Sequence, residues 1–235
     1  MATAYADQNA HLFLSGRDAG RLEAVAERCR TKGAEVSTCV IDVTDTDAMA
    51  SWIRKTDETV PLGLVIANAG ISGGTGGGGE TDDQARQIFA TNLDGVVNTV
   101  LPAIAAMRRR SRGQLVLMAS LAGFRGMPSA PAYCSSKAAV RVWGEGLRGA
   151  LAQDGIGVTV ICPGFVDTPM TKVNRFPMPF LVGAEKAAVV MRDGIDANRA
   201  RVSYPWPMAA LLWLLAALPP AWTDCLLARM PAKGS

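Results

Sequence analysis

The chain has 235 residues, 49% of them apolar, and 24 basic against 21 acidic residues give a formal net charge of +3. That length fits one α/β domain over residues 1–235, and that charge is too small to point to nucleic acid. The five cysteines (Cys29, Cys39, Cys134, Cys162, Cys225) form no CxxC pair and His11 stands alone, so neither a metal cluster nor a disulfide framework is expected. They read as reduced thiols of a cytoplasmic protein, and no signal peptide is visible at the start of the chain.

Strands and helices alternate. Residues 11–15 (HLFLS) form a short apolar strand, and 18–32 form a helix with Leu22, Val25, Ala26 and Cys29 on one face. Gly33 ends that helix. Residues 35–40 are the next strand, and 45–56 a helix capped by Asp45 or Thr46. The continuous apolar run 62–67 (LGLVIA) suits a parallel strand covered on both faces. The glycine-rich stretch 73–79 lacks phosphate-loop spacing and reads as a surface loop.

One long helix is expected over 81–110, its end marked by Arg108, Arg109, Arg110 and Arg112. A buried strand (114–119), a helix (130–153) and a strand (157–162) follow. A loop spans 163–181, then a helix covers 186–197 and a last strand 200–204. The order implies βαβ units in a doubly wound parallel sheet. Beyond it, residues 205–235 form an apolar extension. Its uninterrupted run 208–218 makes a helix of about 16 Å, half a bilayer core, so it reads as a buried or substrate-capping helix rather than a span. Contact with a membrane surface or a second subunit is its other use.

Tyr133 and Lys137 stand four apart on a predicted helix and share a face. A tyrosine works as an acid or base near neutrality only if its pKa falls by about 3 units, which one cation about 4 Å away can supply. Ser120 lies thirteen residues before Tyr133, just past a strand's carboxyl end, where open α/β sheets bind ligands.

Ser120-x12-Tyr133-x3-Lys137 resembles the active-site signature of the short-chain dehydrogenase/reductase family, within LVLMASLAGFRGMPSAPAYCSSKAAV. Asn68-Ala69-Gly70 resembles the family's NAG motif, and Asn92 in ATNLDG its fourth catalytic residue. Asp42 and Val43 in IDVTD resemble the segment beside the adenine. Pro163, Gly164 and Thr168 in PGFVDTPM resemble the segment that holds the nicotinamide. The resemblance runs from about residue 2 to residue 197.

It implies a Rossmann-like three-layer fold and hydride transfer between a nicotinamide cofactor and a carbonyl/alcohol pair. Tyr133 would be the acid/base, Lys137 would lower its pKa and bind the ribose, Ser120 would hold the substrate oxygen, and Asn92 a water. A homodimer or homotetramer through the two longest helices is likewise implied. Gly16-Arg17 ends the first strand where NAD-dependent members resemble one another in carrying an aspartate; arginine suits a 2′-phosphate, so NADP(H) is favoured and NAD(H) is the alternative. The pattern departs at its start. Residues 1–6 resemble the later part of the family's first helix, so its first strand and TGxxxGxG loop are absent from the sequence. The resemblance implies an N-terminally incomplete chain of an enzyme; a genuinely shortened, catalytically silent Rossmann-like binding or scaffold protein is the alternative function. The segment 170–181 resembles the family's substrate lid, and with 208–218 it suggests an apolar pocket.

Overall fold

The computed structural model describes residues 1–73, 79–174 and 177–227. Residues 74–78 of the expected glycine-rich loop and residues 175–176 of the expected lid lie outside them.

The chain begins with α1 (Ala2–Tyr5), β1 (His11–Gly16), α2 (Ala19–Arg30) and β2 (Glu35–Val40). Asp18 caps α2 by accepting the Arg21 N–H at 2.9 Å, and Gly33 turns the chain back at φ +94°. Next come α3 (Thr46–Thr59), capped by Asp45, and β3 (Leu64–Ala67). Then follow α4 (Asp82–Phe89), α5 (Gly95–Arg108), β4 (Gly113–Met118), α6 (Pro131–Ala150) and β5 (Ile156–Pro163). Short β6 (Val166–Asp167), α7 (Pro169–Lys172) and β7 (Val182–Gly183) precede α8 (Ala184–Asp196) and β8 (Arg201–Tyr204). Helices α9 (Trp206–Ala217) and α10 (Pro220–Leu227) close the described chain.

The fold is α/β with a parallel sheet covered on both sides, β3-β4-β5-β8, and a parallel pair β1-β2 beside it. Alternation along β4 and β5 sorts the core into two layers. Leu115, Leu117, Val158 and Val160 meet Met49 and Ile53 of α3, Val96 and Val100 of α5, and Val140 of α6. Val116 and Ile161 meet Ala187, Met191 and Ile195 of α8 and Tyr5 of α1. Among the described residues no ladder joins β1-β2 to the four-stranded sheet. The pair is held instead through its helices and loops: α3 packs on α5, and Asn98 Nδ2 donates to Val43 O at 2.9 Å.

Two expectations change. The long helix over 81–110 is interrupted by a π turn, Ala90–Asp94, in which the Gly95 N–H reaches back to Ala90 O. The wider turn carries Asn92 inward, fully buried. Among the described residues the helix at 208–218 is not fully buried: Met208, Ala209 and Leu212 of α9 pack on the core, while Trp206, Leu211, Trp213 and Leu214 stay exposed. It is apolar on every side, so one-sided packing leaves half of it uncovered. Asp82–Arg108 is long and apolar enough to cross a bilayer by composition, but Val96, Val100, Ala103, Ile104 and Met107 within it are core residues.

Candidate active site

Parallel strands place their carboxyl ends on one edge, and the expected site residues collect there. Arg17 follows β1, and Asp42 and Val43 follow β2. Asn68, Ala69 and Gly70 follow β3, Ser120 follows β4, and Pro163 and Gly164 close β5.

Tyr133 and Lys137 sit in the first two turns of α6. Helix α6 is amphipathic, and its inner face (Ala132, Cys134, Ser136, Lys137, Val140, Gly144) is buried against the sheet. Lys137 is only 4% exposed, and its Nζ donates to Met118 O at 2.8 Å, at the end of β4. Burial lowers its pKa to about 8. Ser120 starts a tight turn: its Oγ accepts the Ala122 N–H at 3.1 Å and lies 3.4 Å from Pro163 O. Gly123 in that turn lies so close to α6 that a Cβ would come within 2.7 Å of the Lys137 carbonyl carbon. The turn thereby brings Ser120 to the Tyr133 phenol.

The electrostatics of Tyr133 differ from the sequence expectation. Burial pushes its pKa above the usual 10, and the hydrogen bond with Ser120 pulls the other way without prevailing. The Lys137 ammonium is bonded to Met118 O.

Asn92 is fully wired. Its Oδ1 accepts the Ile71 N–H at 2.7 Å, and its Nδ2 donates to Ile71 O at 2.9 Å and to Ser136 Oγ at 3.1 Å. Ser136 Oγ donates in turn to Tyr133 O at 2.8 Å. Ser136 was not singled out in the sequence, although it lies beside Lys137. At Gly70 a Cβ would meet both Asn92 Oδ1 and Lys137 Nζ at 3.3 Å, so Gly70, Asn92 and Lys137 form one cluster.

The outer residues are looser. Arg17 Nη1 lies 3.4 Å from Asp42 Oδ2, with its side chain 58% exposed. Asp42 is held by the Thr44 N–H and hydroxyl, which keep its carboxyl below the usual carboxylate range. Asn68 is exposed. The Thr168 N–H donates to Thr171 Oγ1 at 3.0 Å, starting α7. Glu80, also passed over in the sequence, bonds to the first turn of α6: its Oε2 accepts the Ala132 N–H at 2.6 Å and its Oε1 the Tyr133 N–H at 3.0 Å.

Serine, tyrosine, lysine and asparagine side chains thus gather at the carboxyl ends of the strands and the start of α6. The family model described as short chain dehydrogenase matches residues 1–177. The chain belongs to the short-chain dehydrogenase/reductase family. This oxidoreductase is 37% identical over 226 residues to an oxidoreductase of Myxococcus xanthus (strain DK1622), covering 96% of this chain and 89% of the relative. It is 31% identical over 228 residues to one of Mycobacterium tuberculosis (strain ATCC 25618 / H37Rv), covering 95% and 90%. Two solved structures share the fold: a levodione reductase (TM-score 0.80, 24% identity, 89% of this chain and 92% of that one) and a short-chain dehydrogenase from Sphingobium yanoikuyae in complex with NADPH (TM-score 0.80, 22% identity, 97% and 90%).

Proposed function

We propose that this oxidoreductase transfers a hydride between NADP(H) and an apolar carbonyl/alcohol pair, with Tyr133 moving the proton. The observation that carries this reading is the gathering of Ser120, in the turn after β4, with Tyr133 and Lys137 in the first two turns of α6, Lys137 being anchored to Met118 O at the end of β4.

The residues fit a dinucleotide laid along that edge. The chain is bare at Gly70, where a Cβ would crowd Asn92 and Lys137. Asn68, Ala69 and Gly70 would line its path, Pro163, Gly164 and Thr168 would flank the nicotinamide, and Asp42 and Val43 the adenine. Arg17 supports NADP(H), since its exposed guanidinium is held by one long contact and can turn to a 2′-phosphate. NAD(H) is the alternative cofactor. When bound, the nicotinamide supplies or takes the hydride.

The chain's own residues handle the proton. Burial keeps Tyr133 protonated at neutral pH, which suits donation to a carbonyl oxygen. Ser120 Oγ would donate to the same oxygen as negative charge develops on it. Lys137, with a pKa of about 8, is mostly charged at pH 7. Turning from Met118 O towards Tyr133, it would stabilise the phenolate and bind ribose hydroxyls. Asn92 holds the strand end and α6 in register; its side chain is engaged by Ile71 and Ser136, so a water in the proton path would bind its carbonyl.

A cavity of about 400 Å³ beside the start of α6 is lined by Met127, Pro128, Pro131 and Leu227 together with Arg125 and Asp224, which suits a largely apolar substrate with a polar end. The exposed Leu101 of α5 and Val142 of α6 support a homodimer or homotetramer through these helices. The exposed Trp206, Trp213 and Leu214 of α9 support contact with a membrane surface. Free thiols, four of them among the described residues, suit a cytoplasmic location, and the charge does not suit nucleic acid.

The test is NADPH oxidation with a panel of apolar ketones, run on the wild type and Tyr133→Phe. Turnover lost in the variant supports the reading, and equal turnover contradicts it. That no ladder joins β1-β2 to the main sheet among the described residues supports a second reading, a catalytically silent Rossmann-like binding protein, which predicts no turnover in either.

A further inference from the structure

Helix α6 starts without a cap of its own. Ala130 offers no side-chain acceptor, and Pro131 at the first helical position has no N–H. The first intrahelical bond runs from the Cys134 N–H to Ala130 O. The two intervening N–H groups, of Ala132 and Tyr133, are those taken by the two oxygens of Glu80. A carboxylate is the best partner for this end of a helix, because it meets free donors and the positive end of the dipole together.

The carboxylate reaches α6 from a fixed base. Thr81, the next residue, begins α4 with a capping box: its Oγ1 accepts the Gln84 N–H, and Gln84 Oε1 accepts the Thr81 N–H. Gly73 keeps the passage open, since a Cβ there would come within 2.9 Å of Glu80 Cγ. Helix α4 leads into the π turn that carries Asn92, whose Nδ2 reaches Ser136 on α6. The α4 segment therefore grips α6 twice, at the backbone of Tyr133 and one turn later.

We infer that Glu80 is a positioning residue for Tyr133: its bidentate grip on the first turn of α6 sets the height and direction of the phenol relative to Ser120. The role rests on the assignment of Tyr133 as the proton-transfer group. Glu80 touches no reacting atom, so it acts on the chemical step and not on cofactor binding.

The experiment measures kcat, the KM for NADPH and the pH profile of kcat in wild type, Glu80→Ala, Glu80→Gln and Tyr133→Phe, each shown to be folded by circular dichroism. Glu80→Ala should lower kcat by at least about tenfold, in line with the cost of small misplacements, and change the KM for NADPH by less than about twofold. Glu80→Gln keeps one carbonyl acceptor and should recover part of kcat. Both loosen the phenol from Ser120, whose hydrogen bond holds its pKa down, so the alkaline fall in kcat should move to higher pH in both, and less in Glu80→Gln. If Glu80→Ala does not fold, Glu80→Gln carries the same comparison. A lower melting temperature with wild-type kcat and pH profile would overturn the inference, leaving Glu80 a structural cap. Wild-type activity in Tyr133→Phe would instead sink the assignment of Tyr133 itself.

Discussion

Asn92 and Ser136 are joined by a 3.1 Å hydrogen bond inside the core, and through Ser136 the π turn reaches the backbone oxygen of Tyr133. Asn92 also closes both backbone polar groups of Ile71, so one amide ties the segment after β3 to the helix that carries Tyr133. Asn92→Ala leaves these partners without it in a fully buried place. It should destabilise the fold by about 2–4 kcal/mol, read by urea unfolding. A change below about 0.5 kcal/mol, the size of an ordinary surface substitution, would show that the network is not holding the site.

Gly123 packs its Cα onto α6. A methyl group there would stand 2.7 Å from the Lys137 carbonyl carbon and 2.8 Å from the Ala138 nitrogen, and neither backbone atom can yield. Gly123→Ala should push the Ser120 turn away from Tyr133. The expected result is a fall in kcat of roughly a hundredfold, as for other misplacements of about 1 Å, with NADPH affinity nearly kept. Steady-state kinetics beside a nucleotide titration check this; a parallel loss of both would place the damage elsewhere.

Lys137 has a pKa of about 8 in the folded protein against an ordinary 10.5, because burial disfavours the ammonium. Between pH 8 and 10.5 the unfolded chain holds this proton and the folded one sheds it. Stability from this group therefore rises with pH through that window, and the full cost is carried below pH 8. The difference is worth about 3 kcal/mol, and losing the bond to Met118 O costs about 1 kcal/mol. Lys137→Met should be more stable than wild type by about 2 kcal/mol at pH 7 by that difference, lose the alkaline rise, and lose turnover. Urea unfolding at pH 7 and pH 10 decides; an unchanged pH dependence would contradict the shift.

Arg17 has one long contact with Asp42 and a largely exposed side chain. Arg17→Ala should weaken NADPH by about tenfold or more, a charge-assisted bond to a 2′-phosphate being worth about 1.5–3 kcal/mol, and leave NADH nearly unchanged. Equal losses for both nucleotides, by fluorescence titration, would remove the phosphate role.

Much of this was readable from residue patterns. Continuous apolar runs such as LVLM and VTVI mark β4 and β5 because a parallel strand is covered on both faces. Asp18, Asp45 and Gly33 mark helix ends by their own chemistry. The placement of Ser120, Tyr133 and Lys137 was legible because a strand end and a helical turn bring fixed spacings together. The break at Ala90–Asp94 was not, since a π turn leaves the apolar pattern on either side intact. Nor was the burial that raises Tyr133, which depends on long-range packing. Glu80 escaped for the same reason: it caps a helix 52 residues further on, while in sequence it is one acid before a capping box. The exposure of α9 escaped because an apolar helix reads alike whether a fold covers all of it or one side.

The central claim is that the strand-end cluster works on a nicotinamide nucleotide with a 2′-phosphate. The most direct test is a fluorescence titration of the protein with NADPH and with NADH. Saturable binding with NADPH preferred by about tenfold or more, about 1.4 kcal/mol, is the result predicted. Binding of neither nucleotide would contradict it and favour the silent binding protein.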